Sequence, residues 1–297
     1  MTTGPYTAMK IRNFRVSRRT ATLFAVMIGT LSLAIGAHAA LYKRAADATK
    51  AAAASPVAVN GPTKVALVIG NSLYPDANAP LAQPANDARA LAATLQRDGF
   101  DVETVENADK SEMHGAVERL KAKIRPDSVA MLFFSGFGVQ VGRESYMIPV
   151  DAAIWKASDV RRDGTSIESV LAAMKERGAR AKLVVVDASR RNPYERRFRS
   201  YSHGLAPINA PDNALVLSSA APGQVVDDGN GQNSLVVAEL LNNLKSPSAD
   251  AATVFNKTRT AVSQASNGKQ VPSVSSSLLD DVNFGDTKPA NLAKAGS

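Results

Sequence analysis

The chain has 297 residues, of which 45% are hydrophobic and 21% charged, a balance typical of a globular protein with a sizeable core. The net charge is +8, but residues 1–39 hold five basic and no acidic residues, leaving 30 basic and 27 acidic elsewhere, which predicts no nucleic-acid partner. There is no cysteine and only His38, His114 and His203, which excludes disulfides and cysteine nucleophiles and predicts neither a metal nor a cofactor.

Residues 1–39 predict an export segment. A basic run precedes the uncharged stretch 20–42, and Ala-His-Ala at 37–39 resembles the cleavage site of a secretory signal. Cleavage after Ala39 would leave the protein periplasmic or secreted. The alternative is an uncleaved inner-membrane anchor, since about 20 apolar residues can span a bilayer. The N-terminal positive charge places the domain outside the cytoplasm in either case.

Two segments flank a single predicted domain at 64–286. Residues 40–63 are rich in alanine with two prolines, which is typical of a linker. Residues 287–297 are small and polar and predict a flexible tail.

Inside this domain, apolar strands alternate with amphipathic helices. The predicted strands are 64–70, 101–107, 128–136, 146–150, 181–189 and 213–220, with a glycine-rich loop before the fourth. The predicted helices are 84–99, 110–124, 165–178, 234–244 and 250–266. Thr165 or Ser166 is expected to cap the third helix, with Glu168 completing a capping box. Continuous apolar strands indicate a mainly parallel sheet covered by helices on both faces, with ligand sites at the carboxyl ends of the strands.

Two strand ends carry a recognisable pattern. They read FSGFGVQ around Phe137 and DASRRNP around Ser189, 52 residues apart. The chain resembles bacterial caspase-like and metacaspase-like peptidases (peptidase C14, caspase p20 domain), whose pattern is Y-[AS]-G-H-G-x-Q and D-A-C-R-N-N-P. ALVIGNSLY, YMIPVDA, SSAAPGQVVDDGNGQNS and GKQVPSVSSSL match the family in the same order. The resemblance implies an α/β fold, a three-layer caspase-like sandwich, over about 64–286.

The departures from this pattern fall on the catalytic positions. The resemblance places Phe137 at the family's histidine and Ser189 at its cysteine. A phenyl ring accepts no proton and a serine hydroxyl needs a base, so no catalytic residue is expected, with Gly138 as the remnant of an oxyanion hole. The alternative is an active hydrolase or endopeptidase that uses Ser189 with an unidentified base, for which His203 is the candidate. Otherwise His114 and His203 are expected to be ordinary surface histidines.

The resemblance also implies a substrate pocket. In metacaspase-like members the acid two residues before the nucleophile lines a pocket for arginine or lysine. Asp187 matches that position, and Asp227 or Asp228 would contribute from the next loop. The alternative is that Asp187 only caps the turn after its strand. The arginine-rich run 190–201 is expected to be a solvated loop.

These observations predict an exported pseudopeptidase without a cofactor. Its expected partner is a peptide or protein, Arg- or Lys-containing, or an active relative that it scaffolds or modulates. Membrane contact is expected only if the N-terminal segment stays uncleaved. A purely structural role for the tethered domain is a further alternative.

Overall fold

The computed structural model describes residues 63–75, 80–190, 204–226, 229–245 and 250–285. The strands in these ranges are β1 (Lys64–Gly70), β2 (Asp101–Glu106), β3 (Val129–Ser135), β4 (Gly138–Val141), β5 (Glu144–Met147), β6 (Thr165–Ser166), β7 (Ala181–Asp187), β8 (Ala214–Ser218) and β9 (Ser273–Ser276). The helices are α1 (Pro84–Arg97), α2 (Lys110–Lys123), α3 (Ala157–Asp163), α4 (Ile167–Glu176), α5 (Leu235–Asn243) and α6 (Ala251–Ala265).

Six strands form the central sheet in the order β2-β1-β3-β7-β8-β9. The first five are parallel, and β9 is antiparallel to β8. The chain passes from β1 to β2 on one side and to β3 on the other, so strand order reverses between β1 and β3. The carboxyl ends of neighbouring strands are in register there, with Gly70 beside Ser135 and Ser135 beside Asp187. Such a reversal is where open α/β sheets bind ligands.

Helices cover both faces of this sheet. Successive strand side chains point to opposite faces, so Phe133 packs with residues of α1, α5 and α6, whereas Phe134 packs with residues of α2 and α4. Both rings are fully buried. The predicted three-layer α/β sandwich with a mainly parallel sheet is therefore confirmed.

The first helix begins directly against the end of β1. A Cβ on Gly70 would lie 2.3 Å from the carbonyl oxygen of Pro84 and 2.8 Å from the Cβ of Ala88, so only glycine permits this approach. Pro84 occupies the first helical turn, where its missing N–H removes no hydrogen bond. This close packing brings Asp87, in the first turn of α1, to the carboxyl edge of the sheet.

The stretch predicted as a glycine-rich loop is instead a β-hairpin. β4 and β5 pair antiparallel around a turn in which Gly142 has a φ of +67°, and β6 adds a third strand. The predicted strand 146–150 begins earlier, at Glu144, and ends at Met147. Its predicted end was wrong because Pro149 has no N–H and cannot donate a hydrogen bond to a neighbouring strand.

Sequence reasoning also missed α3 and β9. Helix α3 is short, and four of its seven residues are charged, so it lacks a clear apolar stripe. Strand β9 reads SVSS and has no apolar alternation; its pairing with β8 creates it, and the backbone N–H of Ser277 extends that contact to Ala214 O at 2.8 Å.

The capping box predicted at α4 was wrong. Ser166 caps the helix, accepting a hydrogen bond from the backbone N of Ser169 at 3.1 Å. The carboxylate of Glu168 instead accepts from the backbone N of Ser145, at 3.1 and 3.2 Å. A side chain that could have capped its own helix therefore ties α4 to the β4–β5 hairpin.

The predicted export segment 1–39, nearly all of the linker 40–63 and the tail 287–297 lie outside the described residues. Within the described ranges, no helix combines the length and apolar character required to cross a bilayer.

Candidate functional site at the carboxyl ends of β3 and β7

The two strand ends singled out in the sequence lie side by side. β3 and β7 are adjacent and parallel, and the backbone N of Gly136 donates to Asp187 O at 3.2 Å, just beyond the last ladder pair. A Cβ on Gly138 would lie 2.9 Å from the Cβ of Ala188. The segments that carry Phe137 and Ser189 are therefore in contact.

Phe137 is part of a small apolar core beside the main sheet. It is 5% exposed, and its ring meets that of Tyr74 edge-on, with centroids 4.6 Å apart. The hydroxyl of Tyr74 accepts from the backbone N of Phe137 at 3.0 Å and donates to Ile148 O at 2.8 Å. The residue at the family's histidine position thus contributes packing, and its ring offers no group that could accept a proton.

Ser189 lies beneath the surface, with 2% of its area exposed. Its carbonyl oxygen accepts from the backbone N of Val226 at 2.7 Å, which anchors the segment after β7. Among the described residues, none accepts a hydrogen bond from its hydroxyl. His203, the base considered from the sequence, lies outside the described residues, and His114 is exposed on α2.

Gly138 lies where no larger residue would fit. A Cβ there would lie 2.7 Å from Leu205 Cδ2 and 3.0 Å from Ala188 O. Since the backbone N of Ile148 donates to Phe137 O, Gly138 falls between hydrogen-bonded pairs of the β4–β5 ladder. Its N–H therefore points away from β5. An oxyanion-hole remnant at Gly138 stays a prediction.

The carboxylate of Asp187 pairs with a guanidinium of the same chain. Asp187 and Arg190 are 5% and 6% exposed, and Arg190 Nη2 lies 3.3 Å from Asp187 Oδ2. Arg190 Nη1 donates to Gly136 O at 3.0 Å and also to Asp187 O. The expectation of a solvated loop was wrong for Arg190, because its guanidinium pairs with the buried carboxylate of Asp187 and with backbone carbonyls. Residues 191–203 lie outside the described ranges.

Asp87 is a residue of this site that sequence reasoning missed. It is fully buried, and its Oδ1 accepts from Asn233 Nδ2 at 2.9 Å and from the backbone N of Ser234 at 3.0 Å. Its Oδ2 accepts from Ser135 Oγ at 3.4 Å. Burial, together with repulsion by Asp187, raises the pKa of Asp87 to about 6. The sequence places Asp87 near the start of the predicted helix 84–99, and that position alone does not link its carboxylate to the strand ends.

Residues 63–283 match the family model of the caspase domain of C14 peptidases. The chain belongs to the caspase-domain family. No curated protein sequence shows a significant match to it.

In this caspase domain, hydrogen-bond acceptors dominate the edge between β3 and β7. The Arg190 guanidinium contacts the Asp187 carboxylate, the Ser135 hydroxyl and two backbone carbonyls, and that hydroxyl in turn donates to the carboxylate of Asp87. Such a set of acceptors suits a planar cation. Asp227 and Asp228, predicted to belong to the same pocket, lie outside the described residues. Within the described ranges, no three His, Asp or Glu side chains approach each other as metal ligands would.

Proposed function

We propose that this chain is an exported, non-catalytic member of the caspase-domain family. Its role is to bind a peptide or protein partner through the remnant of the substrate cleft around Asp187, either directly or as a scaffold for an active relative. The observation that carries this proposal is the packing of Phe137 against Tyr74 at the position of the family's general base.

Chemistry supports the absence of peptidase activity. Peptide hydrolysis by a hydroxyl requires a base that removes its proton, and Phe137 provides none. In a protease, loss of the nucleophile or the base lowers kcat by about 10⁶-fold. Backbone N–H groups that survive at Gly138 would leave only a small residual rate.

Fluorogenic peptides that end in arginine or lysine test this proposal directly. We expect the purified wild-type protein to release no fluorophore above a no-protein control, and Ser189→Ala to behave identically. The double variant Phe137→His with Ser189→Cys restores the family's residue types, and turnover by it would support loss of the dyad from a preserved cleft.

Cleavage by the wild-type protein that Ser189→Ala abolishes would overturn the proposal. A serine mechanism would then operate, and the variant His203→Ala would show whether that histidine is the base.

A further inference from the structure

Two asparagine–glycine pairs lie on the surface of the described part of the chain. Asn230 and Gly231 belong to the loop before α5, and Asn267 and Gly268 to the turn after α6, and all four residues are exposed. In such a pair the backbone nitrogen of the glycine can reach the side-chain amide carbon of the asparagine, because glycine has no Cβ to hinder the approach. The two pairs share this chemistry and differ in their backbone surroundings.

The backbone of the second pair is tied to the end of α6. Its glycine nitrogen donates to Ser263 O at 2.8 Å, and Asn267 and Gly268 hold positive φ angles of 51° and 76°. By contrast, no residue in the described ranges accepts a hydrogen bond from the N–H of Gly231. The nitrogen that follows Asn230 can therefore attack without first breaking a hydrogen bond.

We propose that Asn230 is a site of spontaneous deamidation. The nitrogen of Gly231, after losing its proton to the solvent, attacks Cγ of Asn230; the N–Cγ bond forms, the Cγ–Nδ2 bond breaks, and ammonia leaves. Water then opens the cyclic imide at either of its carbonyls, which produces aspartate or isoaspartate. Water is the only co-reactant, and the reaction is independent of the proposed function.

The isoaspartyl product would strain a contact that spans this position. Gln83 is 1% exposed, and its Nε2 donates to the carbonyl oxygens on both sides of Asn230, to Gly229 O at 2.8 Å and to Gly231 O at 3.1 Å. Isoaspartate inserts one additional carbon into the main chain between these two carbonyls. Gln83 would then lose one of its acceptors, and a buried amide without a partner is unfavourable.

The same loop supports the candidate site. A few residues beyond Asn230, Asn233 Nδ2 and the backbone N of Ser234 donate to Asp87 Oδ1, at 2.9 and 3.0 Å. A longer main chain at position 230 would therefore loosen the segment that fixes Asp87. Deamidation would act as a slow modification that reaches the strand ends through this loop.

Incubation of the purified protein at mildly alkaline pH, followed by peptide mass spectrometry, tests the site. We expect Asn230 to deamidate about fivefold faster than Asn267, since the hydrogen bond of Gly268 that must break is worth about 1 kcal/mol. In the urea-unfolded chain the two rates should converge, because both backbones lose their structure. Asn230→Gln should remove the reaction at this position and leave that at Asn267 unchanged.

Thermal unfolding of aged and fresh samples tests the consequence. We expect ageing to lower the Tm of the wild type and of the matched control Asn267→Gln, but not that of Asn230→Gln. Asn230→Asp introduces the charge of the product without the additional main-chain carbon, so its Tm should stay close to that of the fresh wild type.

Equal deamidation rates at Asn230 and Asn267 in the folded protein would overturn the site. An equal loss of Tm in aged Asn230→Gln, or a Tm of Asn230→Asp as low as that of the aged wild type, would overturn the role of the lengthened main chain. Peptide cleavage by the wild type would overturn the proposed function and leave this inference intact.

Discussion

At the scale of single residues, the carboxylate of Asp87 shows how burial and charge compete. Burial and the neighbouring carboxylate of Asp187 disfavour its charged form, whereas hydrogen bonds from Asn233 and Ser234 and the charge of Arg190 favour it. Burial has the larger effect, and the pKa rises from 3.8 to about 6. The folded protein therefore binds this proton more tightly than the unfolded chain does.

Replacement of Asp87 by asparagine tests the direction of this pKa shift. A carboxyl whose pKa is raised in the folded protein contributes most to stability at low pH. That contribution falls as the pH rises from about 4 to about 6. Relative to Asp87→Asn, the free energy of unfolding of the wild type should fall by about 2 kcal/mol between about pH 4.5 and about pH 7. Urea denaturation at both pH values measures the difference, and a pH-independent difference would contradict the assignment.

Asp250 provides the opposite control for this measurement. It caps α6, and hydrogen bonds from the side chain and backbone N–H of Thr253 lower its pKa. Its stabilising contribution is present above the unfolded pKa and is lost as the pH falls. The free energy of unfolding of Asp250→Asn should therefore fall less than that of the wild type when the pH is lowered.

At the scale of secondary-structure elements, close backbone contacts position the site. The contact of Gly70 with Pro84 sets α1 against β1 and brings Asp87 to the strand ends. Gly138 likewise allows the β4–β5 hairpin to pack against Ala188, the residue that follows β7. Both glycines lie next to strand ends, where a Cβ would separate elements that carry site residues.

Gly70→Ala should therefore destabilise the fold by about 1–3 kcal/mol, because its Cβ would overlap the Pro84 carbonyl. Gly115→Ala in α2 is the matched control: its Cβ meets only the flexible end of Arg119, at 3.0 Å. Alanine there should stabilise the protein by about 0.5–1 kcal/mol, since glycine is unfavourable in a helix interior. Thermal unfolding of both variants checks the prediction, and equal effects would contradict it.

At the scale of the whole molecule, the chain combines a basic N-terminal segment with a caspase domain of nearly balanced charge. Residues 1–39 hold five of the 35 basic residues and no acidic residue. This asymmetry favours export over nucleic-acid binding, because the rest of the chain has no strong excess of positive charge.

Export with cleavage predicts a defined mature protein. In cells that produce the full chain, we expect the soluble exported fraction to contain protein that begins at Ala40, measured by intact mass and N-terminal sequencing. A full-length mass confined to the membrane fraction would instead support the anchor alternative. Replacing Ala37 and Ala39 with arginine should block processing if the site is correct.

Sequence alone was sufficient to predict the α/β class and a mainly parallel central sheet with helices on both faces. These features follow from local patterns: apolar runs of strand length, helical periodicity and the order of family motifs. The residue types at the family's catalytic positions were equally evident, because the sequence gives them directly.

Only the tertiary structure revealed that Asp87 joins Asp187 and that Arg190 is buried between strand ends. Asp87 and Asp187 are 100 residues apart, so no local pattern links them, and Arg190 in isolation belongs to an arginine run that suggests solvent. Strand β9 likewise exists through its pairing with β8. Local sequence specifies periodicity and residue chemistry, whereas burial and charge pairing arise from contacts between distant segments, and these contacts bury Arg190, which the arginine run alone predicts to be solvated.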